Sequence, residues 1–387
     1  MKRTLLATLL VLAMIPELAA AATITVRKDG TGDYMVLQQA LDVAASGDTV
    51  LVGPGEYTES SMVRLVGYGF DVEVFGRVGA NNVTLMGAGV GVTIIGPTSY
   101  SGNAGHVTPK CIAEDAEGGW LRISDMTLRN CYSGTYVNGT LYADRCEMLD
   151  NYLGVMWFNV GSGGWIKDTT ITASTPPGVG AALDFGGLPQ GSDITIENCH
   201  LGWPSTVRGV RNLVMRDCTF NQLTLYGGSE VYMERCIGML PYGGVSMVLG
   251  GGSYCEIRDS ELRRTGVGIG IGSDSPGSRF VVENSRIEGG TIAAVYLGSG
   301  AGPCEIHNCD LVKGSGPMVE CVVSATQVTH DLSNNYWGTT NEADIQSWIL
   351  DRNDDPGRGG LVIYSPFASQ SVPTEATSWG DLKALFR

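Results

Sequence analysis

At 387 residues a single compact core would be strained, so the chain is either two or three domains or one elongated repeat array. Its 55 glycines are about twice the usual share of roughly 7%, and its 17% of charged residues compares with a usual value of about 25%; this suits a β-rich chain with many tight turns and excludes a helical bundle. A formal net charge of −15 repels phosphate backbones and anionic bilayers, which argues against nucleic acid as a partner, and an acidic polysaccharide would be repelled too without a local basic strip or bound cations.

Residues 1–22 read as an export signal. Lys2 and Arg3 form the positive start, Thr4 to Ile15 an apolar run, and Ala19 to Ala22 the small residues for cleavage after Ala22. The run is shorter than the ~20 residues a spanning helix needs, and no later segment qualifies, so no membrane span is expected. The mature protein is expected outside the cytoplasm, whether periplasmic, extracellular or at the cell surface.

Ile24 to Val26 reads as a strand. Asp33 to Ala45 carries Val36, Leu37, Ala40, Leu41 and Ala44 at helical spacing, which predicts a capping helix ended by Gly47-Asp48. Thr49 to Val52 starts the first coil. Val83 to Leu85 and Val92 to Ile95 look like early strands, and 99–119 a loop excursion.

From residue 120 a segment recurs in which two alternating apolar residues precede an Asp or Asn. Aligned on that anchor, the copies fall at Asp125, Arg145, Asp168, Asn198, Asp217, Arg235, Asp259, Asn284, Asn308 and Asn334, with steps of 18 to 30 residues. Steps near 23, with one alternating strand each, suit the coils of a parallel β-helix; propeller blades are about 40–45 residues long. Two residues before the anchor the column is uniformly apolar, Ile123 through Leu332, and so points inward. Three residues after it the column is apolar except at Gly238. The anchors suit a bend where a short polar side chain bonds nearby backbone. One residue after the anchor stand Cys146, Cys199, Cys218, Cys236 and Cys309, interleaved with Thr169, Ser260 and Ser285. This is expected to be a ladder of buried small residues, with inter-coil disulfides open as an alternative in an oxidising compartment. Just before the anchor, from Asp144 through Lys167, Glu197, Arg216, Glu234 and Arg258 to Glu283, charge sign alternates coil by coil, as in a structural ion-pair ladder.

Asn334 to Gly338 leads into a helical pattern over Ala343 to Leu350. Asp351 to Gly360 is a polar turn, Leu361 to Phe367 a last strand, and 368–387 a linker with a short amphipathic tail. The expected architecture is all-β: a single-stranded right-handed parallel β-helix, or solenoid, over 23–367, with coils clearest over 120–338, an N-terminal capping helix and a short C-terminal helix.

The two ends carry a resemblance. Asp29-Gly-Thr-Gly-Asp-Tyr34, and Gly-Asp-Thr-Val-Leu-Val-Gly-Pro-Gly-Glu-Tyr-Thr-Glu59 after the helix, resemble the start of pectin lyase-like right-handed β-helix proteins. Asn335-Tyr-Trp-Gly-Thr-Thr340 through Asp354-Asp-Pro356 to Tyr364-Ser-Pro-Phe367 is similar to the closing segment of secreted bacterial β-helix repeat proteins. The resemblance implies fold more than chemistry, because this fold hosts lyases, esterases, hydrolases and proteins with no known chemistry. The methylesterase pattern is incomplete: Asp168 follows Lys167 instead of Gln, Asp184-Phe-Gly186 is a fragment, and Trp203 stands where an Arg is required. The polygalacturonase motifs are missing from the coils. Arg208 and Arg211 have no clear cluster of acids before them of the kind a pectate lyase uses for Ca²⁺.

Candidate binding residues remain. Tyr142 and Trp165 share an outward column on adjacent coils, with Tyr232 further along and Tyr152, Trp157 and Phe158 in a connecting segment. Aromatic faces at coil spacing suit sugar rings, so Tyr142, Trp157 and Trp165 are the expected carbohydrate contacts. Glu256 and Glu305, two coils or about 9.6 Å apart, lie near the upper limit for an inverting acid–base pair. Asp351, Asn353 and Asp355 alternate oxygen ligands as in a Ca²⁺ loop but lack the closing glutamate, and no cofactor is otherwise implied. The favoured reading is a non-catalytic solenoid that binds polysaccharide or cell-surface glycan; the alternative is a lyase, esterase or hydrolase with an unrecognised site.

Overall fold

The computed structural model describes residues 21–65, 69–80, 82–100, 108–115, 118–158, 163–172, 180–186, 193–240, 244–264 and 268–371. The segment expected to be the export signal lies almost wholly outside these residues, as does most of the C-terminal tail. The chain is a right-handed parallel β-helix whose strands pair with those one coil away in sequence, the handedness parallel crossovers take. Three sheets run its length. Sheet A contains the strand before each anchor, sheet B the short strand after it, and sheet C the strand that closes the coil before the chain returns to sheet A.

The inward column of sheet A is continuous. Ile24, Val50, Leu85, Ile123, Ala143, Ile166, Ile196, Met215, Met233, Ile257, Val282 and Ile306 are register partners in series. From Val50 onward they are almost completely buried. The inward column of sheet B is buried too, and its one gap has a physical filler. A Cβ on Gly238 would stand 2.8 Å from Phe220 Cζ, so the Phe220 ring occupies the place a side chain would take.

All ten anchors are left-handed, with φ between 47° and 64°. L-residues adopt this conformation at a cost of about 1–2 kcal/mol, and Asn and Asp do so most readily. The two arginines in the column each follow an anchor Asp. Arg145 Nε and Nη2 donate to both Asp125 oxygens at 2.7 and 2.8 Å, and Arg235 grips Asp217 in the same way at 2.8 and 2.9 Å. Those anchor side chains therefore bond to one another across coils more than to backbone.

The bend also explains the residue that follows it. Around each bend the anchor N–H and the second N–H after it find backbone carbonyls on neighbouring coils, as at Arg235 and Ile237. The N–H between them faces the interior. Cys236 N–H donates to Ser260 Oγ at 3.0 Å, Ser260 N–H to Ser285 Oγ at 3.1 Å, and Cys309 N–H to Asn335 Oδ1 at 2.8 Å. The same side chains donate to the carbonyl two residues earlier, as Ser260 does to Arg258 and Cys218 Sγ to Arg216. The ladder of small residues is thus a chain of hydrogen bonds, which is why Cys, Ser, Thr and Asn exchange there. All ten cysteines are free and buried.

The ends depart in detail from the pattern. The capping helix α1 is Leu37–Val43, shorter than expected because Asp33 folds back to accept the Thr25 N–H and Tyr34 bridges to Val26. The region expected as a loop excursion holds a strand, Lys110–Glu114, paired to Asp71–Val78 and Ser133–Val137 in sheet C. An antiparallel hairpin, Ser61–Arg64 against Asp71–Val74, precedes it and forms a small second core of Leu65, Val72, Val74, Ala113 and Tyr136. The C-terminal helix α2 is Glu342–Ser347, and Ile349–Leu350 continue sheet C as a strand. The last strand is Gly360–Ile363 in sheet A.

Candidate functional site

The outer face of sheet A presents the aromatic column. Tyr142 and Trp165 are register partners one coil apart, with ring centroids 5.4 Å apart and planes at 47°. Trp120, unremarked in the sequence, extends the row and packs edge-on to Tyr142 at 6.2 Å. All three residues are half-buried. The Arg122 guanidinium lies 5.6 Å from the Trp165 ring centroid and Lys167 Nζ lies 5.8 Å from it. Further along the same register line come Thr195, Val214 and Tyr232.

Trp157 is not part of this face. Its side chain is fully buried in the core against Phe185, and its indole N–H donates to the Gly139 carbonyl at 2.7 Å. It shares an inward row with Val155, and that burial excludes it from any glycan surface. Tyr152 stacks with Tyr132 at 5.1 Å, away from the sheet A row, and the Phe158 side chain lies outside the described residues.

Three neighbouring pairs of the charge column bridge across coils, while Asp144 at its head is bridged by Arg145 next to it in sequence. Lys167 meets Glu197 at 2.8 Å, Arg216 meets Glu234 at 3.1 Å, and Arg258 meets Glu283 at 3.3 Å. Glu256 and Glu305 are two coils apart on one register line through Val281. Glu256 is held by Arg258 at 2.8 Å and by the Tyr254 hydroxyl at 3.1 Å, so the two carboxylates are not equivalent in environment.

The oxygens of the terminal turn serve backbone. Asp351 Oδ1 accepts from Asn353 N–H, its Oδ2 from Val362 N–H, and Asp355 Oδ1 from Gly357 N–H. Asp351 is buried, while Asn353 and Asp355 are exposed; Asp351 and Asn353 line a depression of about 290 Å³ with Asp354, which Asp355 does not join. Among the described residues no group of three His, Cys, Asp or Glu side chains gathers in a way that would hold a metal.

A second cluster, on the outer face of sheet C, was not legible in the sequence. Lys110 is fully buried, its Nζ 4.3 Å from the Tyr132 ring centroid, 5.9 Å from that of Tyr136 and 3.9 Å from Met156 Sδ. Burial in this aromatic setting pulls its ammonium down to about 7, since the charged form loses water. Tyr136, Met156 and Asp184 are register partners on successive coils. Burial raises the Asp184 carboxyl, against the pull of Arg208, whose guanidinium lies 5.9 Å from the Tyr226 ring centroid. An amine near neutrality and a carboxyl displaced upward on one face have the character of an acid–base site.

No family model matches the chain, and no curated protein matches it. Solved structures do. The catalytic domain of a GH87 α-1,3-glucanase in complex with tetrasaccharides aligns over 93% of this chain and 69% of its own at 13% identity, with a TM-score of 0.44. The A-module of the Azotobacter vinelandii mannuronan C-5 epimerase AlgE4 aligns over 86% and 94% at 14% identity, TM-score 0.44. A pectin methylesterase from carrot aligns over 94% and 96% at 14% identity, TM-score 0.31. At these identities and TM-scores the likeness bears on fold alone, and the coil-to-coil register of the strands independently makes that fold a parallel β-helix.

Proposed function

We propose that this β-helix, acting outside the cytoplasm, binds a polysaccharide along the outer face of sheet A. The supporting observation is the pair Tyr142 and Trp165, half-exposed rings 5.4 Å apart on successive coils, with Trp120 set diagonally 6.2 Å from Tyr142. A pyranose chain repeats every ~5 Å and coils every ~4.8 Å, so the mismatch of ~0.2 Å per unit stays under ~1 Å over four coils and successive sugars meet successive rungs. The apolar faces of sugar rings stack on indole and phenol, and their hydroxyls reach the polar residues that flank each ring. The experiment is retention of the secreted chain on a panel of immobilised glycans, compared with Trp165→Ala. Loss of retention with unchanged thermal unfolding supports the reading; equal retention of both proteins removes it.

The enzymatic alternative draws on one arrangement, Lys110 buried beside Tyr132, Tyr136 and Met156 with Asp184 the register partner of Met156 one coil on, where burial lowers the amine and raises the carboxyl. A reducing-sugar and ester-release screen on polysaccharides, with and without Ca²⁺, tests it. Activity abolished by Asp184→Asn in a folded protein supports this second reading, and no release from any polymer rules against it.

A further inference from the structure

We infer that the occupant of sheet A is an uncharged glycan chain that bridges two aromatic patches, an inference that rests on the binding reading above. The second patch is Tyr232 and Tyr254, edge-on with centroids 6.1 Å apart. The Arg279 guanidinium lies 4.9 Å from the Tyr254 ring centroid, and the Tyr254 hydroxyl donates to Glu256 at 3.1 Å. Beside these rings is a depression of about 280 Å³ floored by Val214 and walled by Tyr232, Glu256 and Arg258.

The two patches share one line. Tyr142, Trp165, Thr195, Val214 and Tyr232 are consecutive register partners. Trp165 and Tyr232 are therefore three coils apart, about 14 Å. Only Thr195 and Val214 lie between them on that line, and both are small and half-buried. A chain laid over the first patch runs on across this low floor to the second, and about five sugar units at ~5 Å each cover the ~19 Å from Tyr142 to Tyr232.

Charge decides the class of sugar. Lys167, Arg216 and Arg258 flank the line, and each is already bridged to a carboxylate, at 2.8, 3.1 and 2.8 Å respectively. Arg122 and Arg279 lie against ring faces. A uronate laid here would bring a second anion to Lys167, Arg216 and Arg258, which are already bridged, beside Glu197, Glu234 and Glu256 on a chain of net charge −15, and would find only Arg122 and Arg279 along the line as cations not bridged to a carboxylate. A neutral sugar meets no such penalty, because its hydroxyls donate to the free lone pairs of those same carboxylates.

The test uses the full chain with soluble xylan, β-glucan and glucomannan on one side and polygalacturonate and alginate on the other, at low and high salt. Expected is binding to at least one neutral polymer, insensitive to salt, with the uronate polymers bound far more weakly. Tighter binding to a uronate polymer overturns the uncharged class while leaving polysaccharide binding intact; binding to none of the five removes the reading on which this inference rests. For the neutral polymer that binds, hexa- and trisaccharides are then compared in Tyr232→Val, which places at that position the residue Val214 already supplies one coil away. Affinity for the hexasaccharide is expected to fall by about tenfold, the worth of one aromatic contact, with the trisaccharide unaffected. An unchanged hexasaccharide affinity in the folded variant overturns the bridging, and Tyr254→Ala, read the same way, gives an independent second measurement.

Discussion

Replacing Ser260 by Ala removes one hydroxyl from the interior, and the cost is set by the two hydrogen bonds that hydroxyl makes. Ser260 Oγ accepts the Cys236 N–H at 3.0 Å and donates to the Arg258 carbonyl at 2.6 Å. The carbonyl keeps a partner, since Arg235 N–H also donates to it at 3.2 Å. The Cys236 N–H does not, because the left-handed bend at Arg235 turns it away from the backbone of the neighbouring coils. A buried donor left without a partner costs about 1–3 kcal/mol, and the lost volume is too small to add much. Ser260→Ala is therefore expected to destabilise by about 1–3 kcal/mol, and Ser260→Cys by clearly less, since a thiol accepts the same N–H weakly, as Cys309 Sγ does from Ser285 at 3.3 Å. Solenoids unfold in segments, so global denaturation blurs such a change. Hydrogen exchange at the Cys236 amide reads it locally and is expected to accelerate on the order of 5- to 100-fold in Ser260→Ala. If exchange and stability are unchanged, or the Ala variant is more stable, the column is a row of apolar spacers and the hydrogen-bond account is wrong.

The left-handed anchors make a paired prediction: Asn284→Val is expected to lose about 1–2 kcal/mol, while Asn284→Gly changes stability by less than ~1 kcal/mol, both read by chemical denaturation. His330 predicts a pH dependence. It is almost fully buried, and burial lowers its pKa to about 4; its neutral Nδ1 accepts the Cys304 N–H at 3.3 Å. The folded pKa lies below the unfolded value of ~6.5, so the unfolded chain binds more protons between these limits and stability falls as pH drops through that window, by roughly 3 kcal/mol at most. The ring resonances of His330 should stay those of the neutral form down to about pH 5; a midpoint near 6.5 would contradict the burial.

Sheets A and B were legible because each copy of the repeat contains its own ruler. The anchor must take a left-handed conformation, which selects Asn or Asp, and the residues on either side alternate with period two. Ile196, Met215 and Met233 accordingly stack in one buried row, as their spacing required. Sheet C has no such ruler, because the connections leading into it vary in length from coil to coil. Lys110–Glu114 is buried at every position, so it shows no alternation, and a lysine at its head reads as a loop. Trp157 was misplaced for the same reason, although Leu153, Val155 and Trp157 do alternate and mark an inward row once the segment is taken as a strand. Trp120 was missed because it sits two residues earlier in its strand than the column that carries Tyr142.

The same contrast bears on which face serves a ligand. On sheet A the rings are half-exposed, Lys167, Arg216 and Arg258 are paired to carboxylates, and the side chains set against the rings are the mobile ends of Arg122, Lys167 and Arg279. On sheet C the hairpin of Ser61–Arg64 and Asp71–Val74 packs Leu65 and Val72 onto Tyr136, which is only 4% exposed, and Lys110 beside it is closed off completely. A polymer reaching that amine would have to approach from the Asp184 side, along Thr206 and Thr224, where the register line continues with small residues. A chain lying there would have Lys110 beneath one end of it, as a buried amine rather than a surface contact. Binding on sheet A therefore asks for no more than a shift of surface side chains such as Arg122 and Lys167, whereas chemistry on sheet C requires the substrate to enter lengthwise, and a variant that cuts the hairpin's hold on Tyr136, such as Leu65→Ala, should alter the second without touching the first.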